Sequence, residues 1–133
     1  MQEVNLEDTV DNLKNTYIKK SDIHGYGLYA KKDIDKDQVL GYLDGQVIDW
    51  KLHDEYNLTL EWNAIGDNKL LVRPYRTKYS YINHSREANL LIAYDPIRII
   101  SKKNIKKDEE LVLDYRLEPL SNEYIEKKGK FYL

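Results

Sequence analysis

Apolar residues along this chain fall mostly in short blocks, alternating or nearly continuous, with turn residues between them. Blocks of that kind predict strands. Tyr17-Ile18-Lys19-Lys20 reads as the first, and Gly25-Tyr26-Gly27-Leu28-Tyr29-Ala30 leads into the next. Val39 to Leu43, Gln46 to Ile48, Lys69 to Arg73, Asn89 to Tyr94, Ile97 to Ser101 and Glu110 to Tyr115 follow. Asp44-Gly45 predicts a hairpin-type turn, Gly66-Asp67-Asn68 and Asp95-Pro96 predict turns, and Pro74 stops a strand. Helical spacing is scarcer. Asn5 to Leu13 predicts a short helix, with Asn5 as N-cap, acids in the first turn, and Leu6, Val10 and Leu13 on one face. Arg76 to Tyr81 predicts a helical turn. Ser121 as cap, Glu123 early, Lys127 and Lys128 late and Gly129 as stop predict a short C-terminal helix. From Asp49 to Asn68 the pattern loosens, and helix and strand stay open around Tyr56 to Leu60. The sum is a mostly β domain.

One pattern occurs twice. Lys31-Lys32-Asp33-Ile34-Asp35-Lys36-Asp37 is echoed by Lys102-Lys103-Asn104-Ile105-Lys106-Lys107-Asp108, each followed by a strand. The isoleucine is expected to tuck inward. The Lys-Asp pair is expected to make the turn, since aspartate tolerates left-handed geometry. Two copies make a reused turn and not a solenoid.

Composition changes this picture in few places. At 133 residues the chain fits one domain with a single modest core. A net charge of -2 spread over many lysines and acids gives no basic face, so no direct nucleic-acid partner is expected. Without cysteine there is neither a disulfide framework nor a thiolate zinc site, and no metal is expected. His24 and His53 lack metal-ligand spacing. No apolar run approaches a membrane span and the start does not read as a signal sequence, so an intracellular protein is expected, cytoplasmic or nuclear. If the source is a virus or pathogen, the host nucleus joins those locations. Twelve tyrosines stand against one phenylalanine. Tyrosine can serve simply as the core aromatic, but many phenols also suit a pocket that is apolar yet studded with oxygen acceptors.

Candidate chemistry gathers in two stretches, Tyr81-Ile82-Asn83-His84-Ser85 and Glu110-Leu111-Val112-Leu113-Asp114-Tyr115. A polar Asn-His-Ser triplet needs hydrogen-bond partners wherever it is buried. Tyr115 places a phenol where a strand stops, a common position for working groups. Alone, Asn83-His84 reads equally as a loop brace, Tyr115 as a core tyrosine, and Gly25-Tyr26-Gly27 as a turn. Asp114 and Glu110 read as structural. No nucleophile pattern accompanies His84, so it is not a triad histidine.

Taken in order, Gly25-Tyr26-Gly27-Leu28-Tyr29-Ala30, Tyr42-Leu43-Asp44-Gly45, Asn83-His84-Ser85 with Asn89, and Glu110-Leu111 with Asp114-Tyr115 resemble the SET-domain protein lysine methyltransferases. The likeness covers roughly Tyr17 to Arg116. It implies a β-clip-like fold of several short curled sheets and few short helices, with a C-terminal pseudoknot near Asp114-Tyr115. Residues 1–16 would form an N-terminal helical flap, 17–116 the SET domain with a variable insert at about 49–75, and 117–133 a short helix and aromatic tail. The cofactor implied is S-adenosylmethionine, held by Gly25, Tyr26, Gly27, Asn83 and His84 with Tyr81 beside it. Tyr115 matches the family's catalytic tyrosine. The reaction implied is methyl transfer to a lysine amine in a protein or peptide substrate, histones being the commonest family target.

Departures from the family pattern fall at Ser80, where arginine is frequent, at Arg86 for cysteine, at Ala88 for proline, and at Asp37 and Asp108 for glycine. No cysteine-rich, zinc-binding flanking module is expected, so Tyr124, Phe131 and Tyr132 stand as substitutes for the aromatic over the cofactor. Tyr42, Tyr79, Tyr94, Phe131 and Tyr132 are the candidates for the substrate channel, with Tyr26 also able to line it. A narrow apolar channel beside a sulfonium depresses the lysine pKa, so no dedicated base is required and the proton can leave to water. The competing expectation is an inactive SET-like module that binds peptide or cofactor without turnover. An exposed apolar edge or tail would favour a homodimer.

Overall fold

The computed structural model describes residues 8–56 and 58–133. In chain order the strands are β1 (Thr16–Lys20), β2 (Tyr26–Ala30), β3 (Val39–Tyr42), β4 (Gln46–Asp49), β5 (Glu61–Gly66), β6 (Lys69–Arg73), β7 (Asn83–His84), β8 (Leu90–Ala93), β9 (Arg98–Ser101) and β10 (Glu110–Leu113). Two short helices, α1 (Trp50–Tyr56) and α2 (Asn122–Lys127), join them, with 3-10 turns at Lys78–Tyr81, Tyr115–Leu117 and Gly129–Phe131. Three small sheets result, ordered β1-β2-β10-β7, β3-β9-β8 and β4-β6-β5. This is the mostly β architecture of several short sheets and few helices that the resemblance implied.

The first sheet carries the site. β10 is the wedge: its Leu111, Val112 and Leu113 are buried on both faces, as a central strand requires. It runs antiparallel to β2 and parallel to β7. Beyond β7 the chain stays laced to it, Ser85 N–H donating to Leu113 O at 2.9 Å and Asn89 Nδ2 to Glu110 O at 2.8 Å. Val112 N–H in turn donates to Asn89 Oδ1 at 2.9 Å. The pseudoknot expected near Asp114-Tyr115 corresponds to this lacing, with the 83–89 segment closing over the last strand.

The repeated turn behaves as its pattern predicts. Ile34 and Ile105 are both 2% exposed and exchange backbone hydrogen bonds of 2.8 Å with each other. Asp37 and Asp108 take left-handed backbones, φ +68° and +71°. The two copies therefore pack against one another and bury their isoleucines together.

Two expectations are corrected. Asp44-Gly45 is not a hairpin, because β3 and β4 belong to different sheets. It is a corner between them, pinned by Arg73 Nη1 donating to Asp44 O at 3.1 Å. The N-terminal helix is absent over 9–13, and Asn5, Leu6 and Glu7 lie outside the described residues. Val10 bridges Thr77 and is 42% exposed while Leu13 is 1% exposed, so the two do not share one buried face. Cross-strand bonds replace helical ones here, Val10 N–H donating to Arg76 O at 2.9 Å. The 49–75 stretch holds α1, β5 and β6, which with β4 make the third sheet and a separate core of Trp50, Ala64, Leu70 and Val72.

Candidate active site

Pairing of β7 with β10 aims Asn83 at the turn before β2. Its Nδ2 lies 2.9 Å from Glu110 Oε2, 3.1 Å from His24 O, 3.2 Å from Ser21 Oγ and 3.3 Å from Tyr26 O. One amide supplies two hydrogens, so these acceptors outnumber the donors offered to them. Ser21 Oγ donates to the Glu110 carboxylate as well, at 2.8 and 2.9 Å, and Tyr29 OH to Glu110 Oε1 at 3.2 Å. Gly25 takes φ +48°, and no heavy atom lies within 4 Å of where its Cβ would stand. An acceptor-rich cluster with open space beside it suits a compact cationic donor group.

Gly27 is needed for a different reason. A Cβ there would meet Glu110 Oε2 at 2.5 Å. We expect Gly27→Ala to push the carboxylate off Ser21 and Asn83, at a stability cost of about 1–2 kcal/mol. Affinity for S-adenosylmethionine, the cofactor that the resemblance implies, should fall tenfold or more by calorimetry. Unchanged affinity would show that the cluster holds nothing.

At the other end of the site, Tyr115 N–H donates to His84 Nδ1 at 3.0 Å, and the two rings lie 5.1 Å apart. Burial lowers the His84 pKa, opposed by the Asp114 carboxylate beside it. The ring is thus neutral at pH 7, as an accepting Nδ1 requires. Asp114 accepts from Arg116 N, Nε and Nη2 at 3.0, 2.9 and 2.7 Å, and these bonds bring its pKa down to about 2. Tyr115 OH donates to Ile82 O. Burial, with the Glu118 charge adding to it, raises the Tyr115 pKa, so the phenol keeps its proton. Tyr132 stands edge-on to both His84 and Tyr115, at 6.4 and 6.2 Å between ring centres. Arg86 Nη2 anchors the tail beneath it by donating to Leu133 O at 2.7 Å. The tail thus folds back onto the site.

Tyr115, Tyr132 and Tyr79 open onto one cavity of about 410 Å³, with Glu118, Leu120, Trp62 and Arg76 among its walls. Tyr79 OH donates to Glu118 Oε1 at 3.0 Å. Burial pushes the Glu118 carboxyl up to about 7, with the Tyr79 hydrogen bond pulling the other way. Tyr94, raised to about 12 by burial, feels the Glu118 charge, and its buried hydroxyl has no partner among the described residues. Of the five channel candidates, Tyr79 and Tyr132 therefore line this cavity with Glu118 and Tyr115, and Tyr94 is tied to them only through the Glu118 charge. As for the other two, Tyr42 is 60% exposed on β3 and Phe131 is 78% exposed, and neither lines the cavity. Tyr81, 6% exposed, is packed into the main core. Tyr26 is half-buried beside it.

Sequence reasoning missed Ser21 and Glu118. The first left no local mark. The second did, as a lone acid within the otherwise uncharged Leu117-Glu118-Pro119-Leu120. A carboxyl raised by burial costs stability once it ionises. That cost is absent below about 4.5 and complete above about 7, so stability is lost as pH rises across this window. We expect Glu118→Gln to remove it, gaining about 2 kcal/mol over the parent at pH 8 and nearly nothing at pH 4. Urea midpoints at the two pH values check the sign.

Residues 25–116 match the family model for the SET domain. The chain belongs to the SET-domain family. Histone-lysine N-methyltransferase CLF of Oryza sativa subsp. japonica is 28% identical over 130 residues, covering 86% of this chain and 14% of that protein. Histone-lysine N-methyltransferase 2D of Homo sapiens is 33% identical over 122 residues, covering 78% of this chain and 2% of that protein. The SET-domain fold also matches a humanized mutant of the Chaetomium thermophilum Polycomb Repressive Complex 2 bound to the inhibitor GSK126. There the TM-score is 0.61 and the identity 24%, over 77% of this chain and 15% of that one. This SET domain thus spans a small part of the length of each relative. Among the described residues no helix is long and apolar enough to cross a membrane.

Proposed function

We propose that this SET domain transfers a methyl group from S-adenosylmethionine to the side-chain amine of a lysine in a protein, histones being the first candidates. The observation that carries the reading is the meeting of two distant segments. Tyr115 packs its ring at a tilt against His84 and also lines the cavity. Asn83, next to His84, faces the acceptors of the Gly25-Tyr26-Gly27 turn.

The residues fit the cofactor by their chemistry. The His24 and Tyr26 carbonyls and the Glu110 carboxylate offer acceptors to the ammonium of its methionine part, beside the open face of Gly25. When bound, S-adenosylmethionine supplies an electrophilic methyl on a sulfonium. Everything else falls to the chain. Tyr115 stays a neutral phenol, so its work is alignment: a fixed dipole whose lone pairs can accept weak C–H hydrogen bonds. The walls of Tyr79, Tyr115, Trp62 and Tyr132 exclude water from an entering lysine and disfavour its charged form.

Calorimetry with S-adenosylmethionine, followed by transfer of a labelled methyl into histones and a mixed lysate read by mass spectrometry, tests the reading. Binding together with methyl-lysine in the products is the expected result. Binding without transfer would instead assign a non-catalytic binder, and neither would refute both.

A further inference from the structure

The 3-10 turn Tyr115–Leu117 ends at Glu118, whose N–H donates to Tyr115 O at 3.2 Å. That short link fixes the carboxylate relative to the phenol, and both side chains face the same cavity. Tyr79 OH is the side-chain donor that meets it. A half-buried carboxylate with one neutral side-chain donor among the described residues is poorly solvated and ready for a cation.

Its surroundings narrow the role. Tyr79, Tyr94, Tyr115 and Tyr132 all have raised pKa values, with burial the leading cause in each, so these phenols neither ionise nor accept a proton at neutral pH. The other carboxylate on the cavity wall, Glu61, is already engaged by Arg73 Nε, by Thr77 N and Oγ1 at 2.9 and 2.7 Å, and by Ser80 Oγ. Among the described residues, the cations at this cavity are Arg73, whose guanidinium lies 5.6 Å over the Tyr79 ring and is bound to Glu61, and Arg76, one of the lining residues.

We propose that Glu118 receives the target lysine's ammonium in this cavity and accepts its proton, doing what solvent alone would otherwise do. The proposal rests on the methyl-transfer reading above. One N–H bond of the ammonium breaks, an O–H bond forms on the carboxylate, and the electron pair stays on nitrogen as the nucleophile. An ion pair becomes two neutral groups, the direction that the burial of Glu118 favours. A carboxyl that titrates near neutrality is matched to this task, because it is about half ionised at pH 7 and mostly ionised at pH 8 yet still basic enough to hold the proton.

The test uses the intact chain with its glutamate carboxyls labelled for NMR, and n-butylammonium as a lysine mimic. Butylammonium should shift the Glu118 carboxyl and the Tyr79 and Tyr115 rings saturably, and Glu118→Gln should weaken that binding tenfold or more. With labelled S-adenosylmethionine, the acid limb of kcat/KM should follow the Glu118 titration and vanish in Glu118→Gln. The variant's S-adenosylmethionine affinity should stay unchanged and its kcat/KM at pH 8 should fall at least tenfold. Glu118→Asp should recover part of the loss. No saturable shift at Glu118, or transfer with an unaltered pH profile in Glu118→Gln, overturns the role of this residue alone. A parent chain that neither binds S-adenosylmethionine nor transfers its methyl overturns the reading beneath it.

Discussion

Tyr115→Phe is expected to lower kcat/KM for methyl transfer at least about a hundredfold, or about 3 kcal/mol of transition-state stabilisation. The substitution removes one oxygen and leaves the ring against His84 and Tyr132. What disappears is the hydroxyl bonded to Ile82 O, the one polar atom that the Tyr115 side chain offers to a reacting methyl. Stability should fall by only about 1 kcal/mol, the net worth of one hydrogen bond with its acceptor left behind. The measurement pairs steady-state kinetics with calorimetry and a thermal melt. A Phe variant that melts like the parent, binds S-adenosylmethionine and turns over at the parental rate would remove Tyr115 from the chemistry.

Arg73→Met should produce the largest loss of stability, about 3–5 kcal/mol. Arg73 is 1% exposed although it lies at the end of a strand. Its three guanidinium nitrogens are all used: Nε on Glu61, Nη1 on Asp44 O at 3.1 Å, Nη2 on Asn63 Oδ1 at 2.7 Å. Without it the Glu61 carboxylate, 6% exposed, would hold a buried charge with no cation. The damage should spread, because Glu61 also braces Thr77, the cap of the turn that carries Tyr79. Methyl transfer should fall with stability. Urea unfolding of Arg73→Met, Glu61→Leu and the double variant provides the check. The double variant should be more stable than Arg73→Met alone, since it removes the orphaned charge. If it is no better, the loss comes from packing and this account of it is wrong.

Part of the candidate site is legible in the chain itself. Asn83-His84 and Asp114-Tyr115 stood out because polar groups interrupted apolar strands, and these are the residues that meet. The doubled turn was legible because its requirements are local: one inward isoleucine and one left-handed aspartate. Failures came where partner choice is non-local. Asp44-Gly45 has the residues of a hairpin, but β3 prefers β9 and β4 prefers β6, and nothing within the turn encodes that. Val10 and Leu13 have helical spacing, yet Val10 found a strand-like partner at Thr77. Tyr42 and Phe131 are aromatics near the same motifs as Tyr79 and Tyr132, and nothing in the local sequence distinguishes the exposed pair from the pair that lines the cavity.

β10 sits between β2 and the 83–89 segment, so three stretches of chain far apart in sequence must converge before any pocket exists. Such convergence is slow, because large loops close before their contacts repay the entropy. It also turns any small molecule that touches Gly25, Asn83 and Tyr115 at once into a clasp on the finished molecule. At a hundredfold excess over its dissociation constant, such a clasp adds about 2.7 kcal/mol to the resistance to unfolding. Folding and the loading of such a molecule would be linked by mass action, each favouring the other.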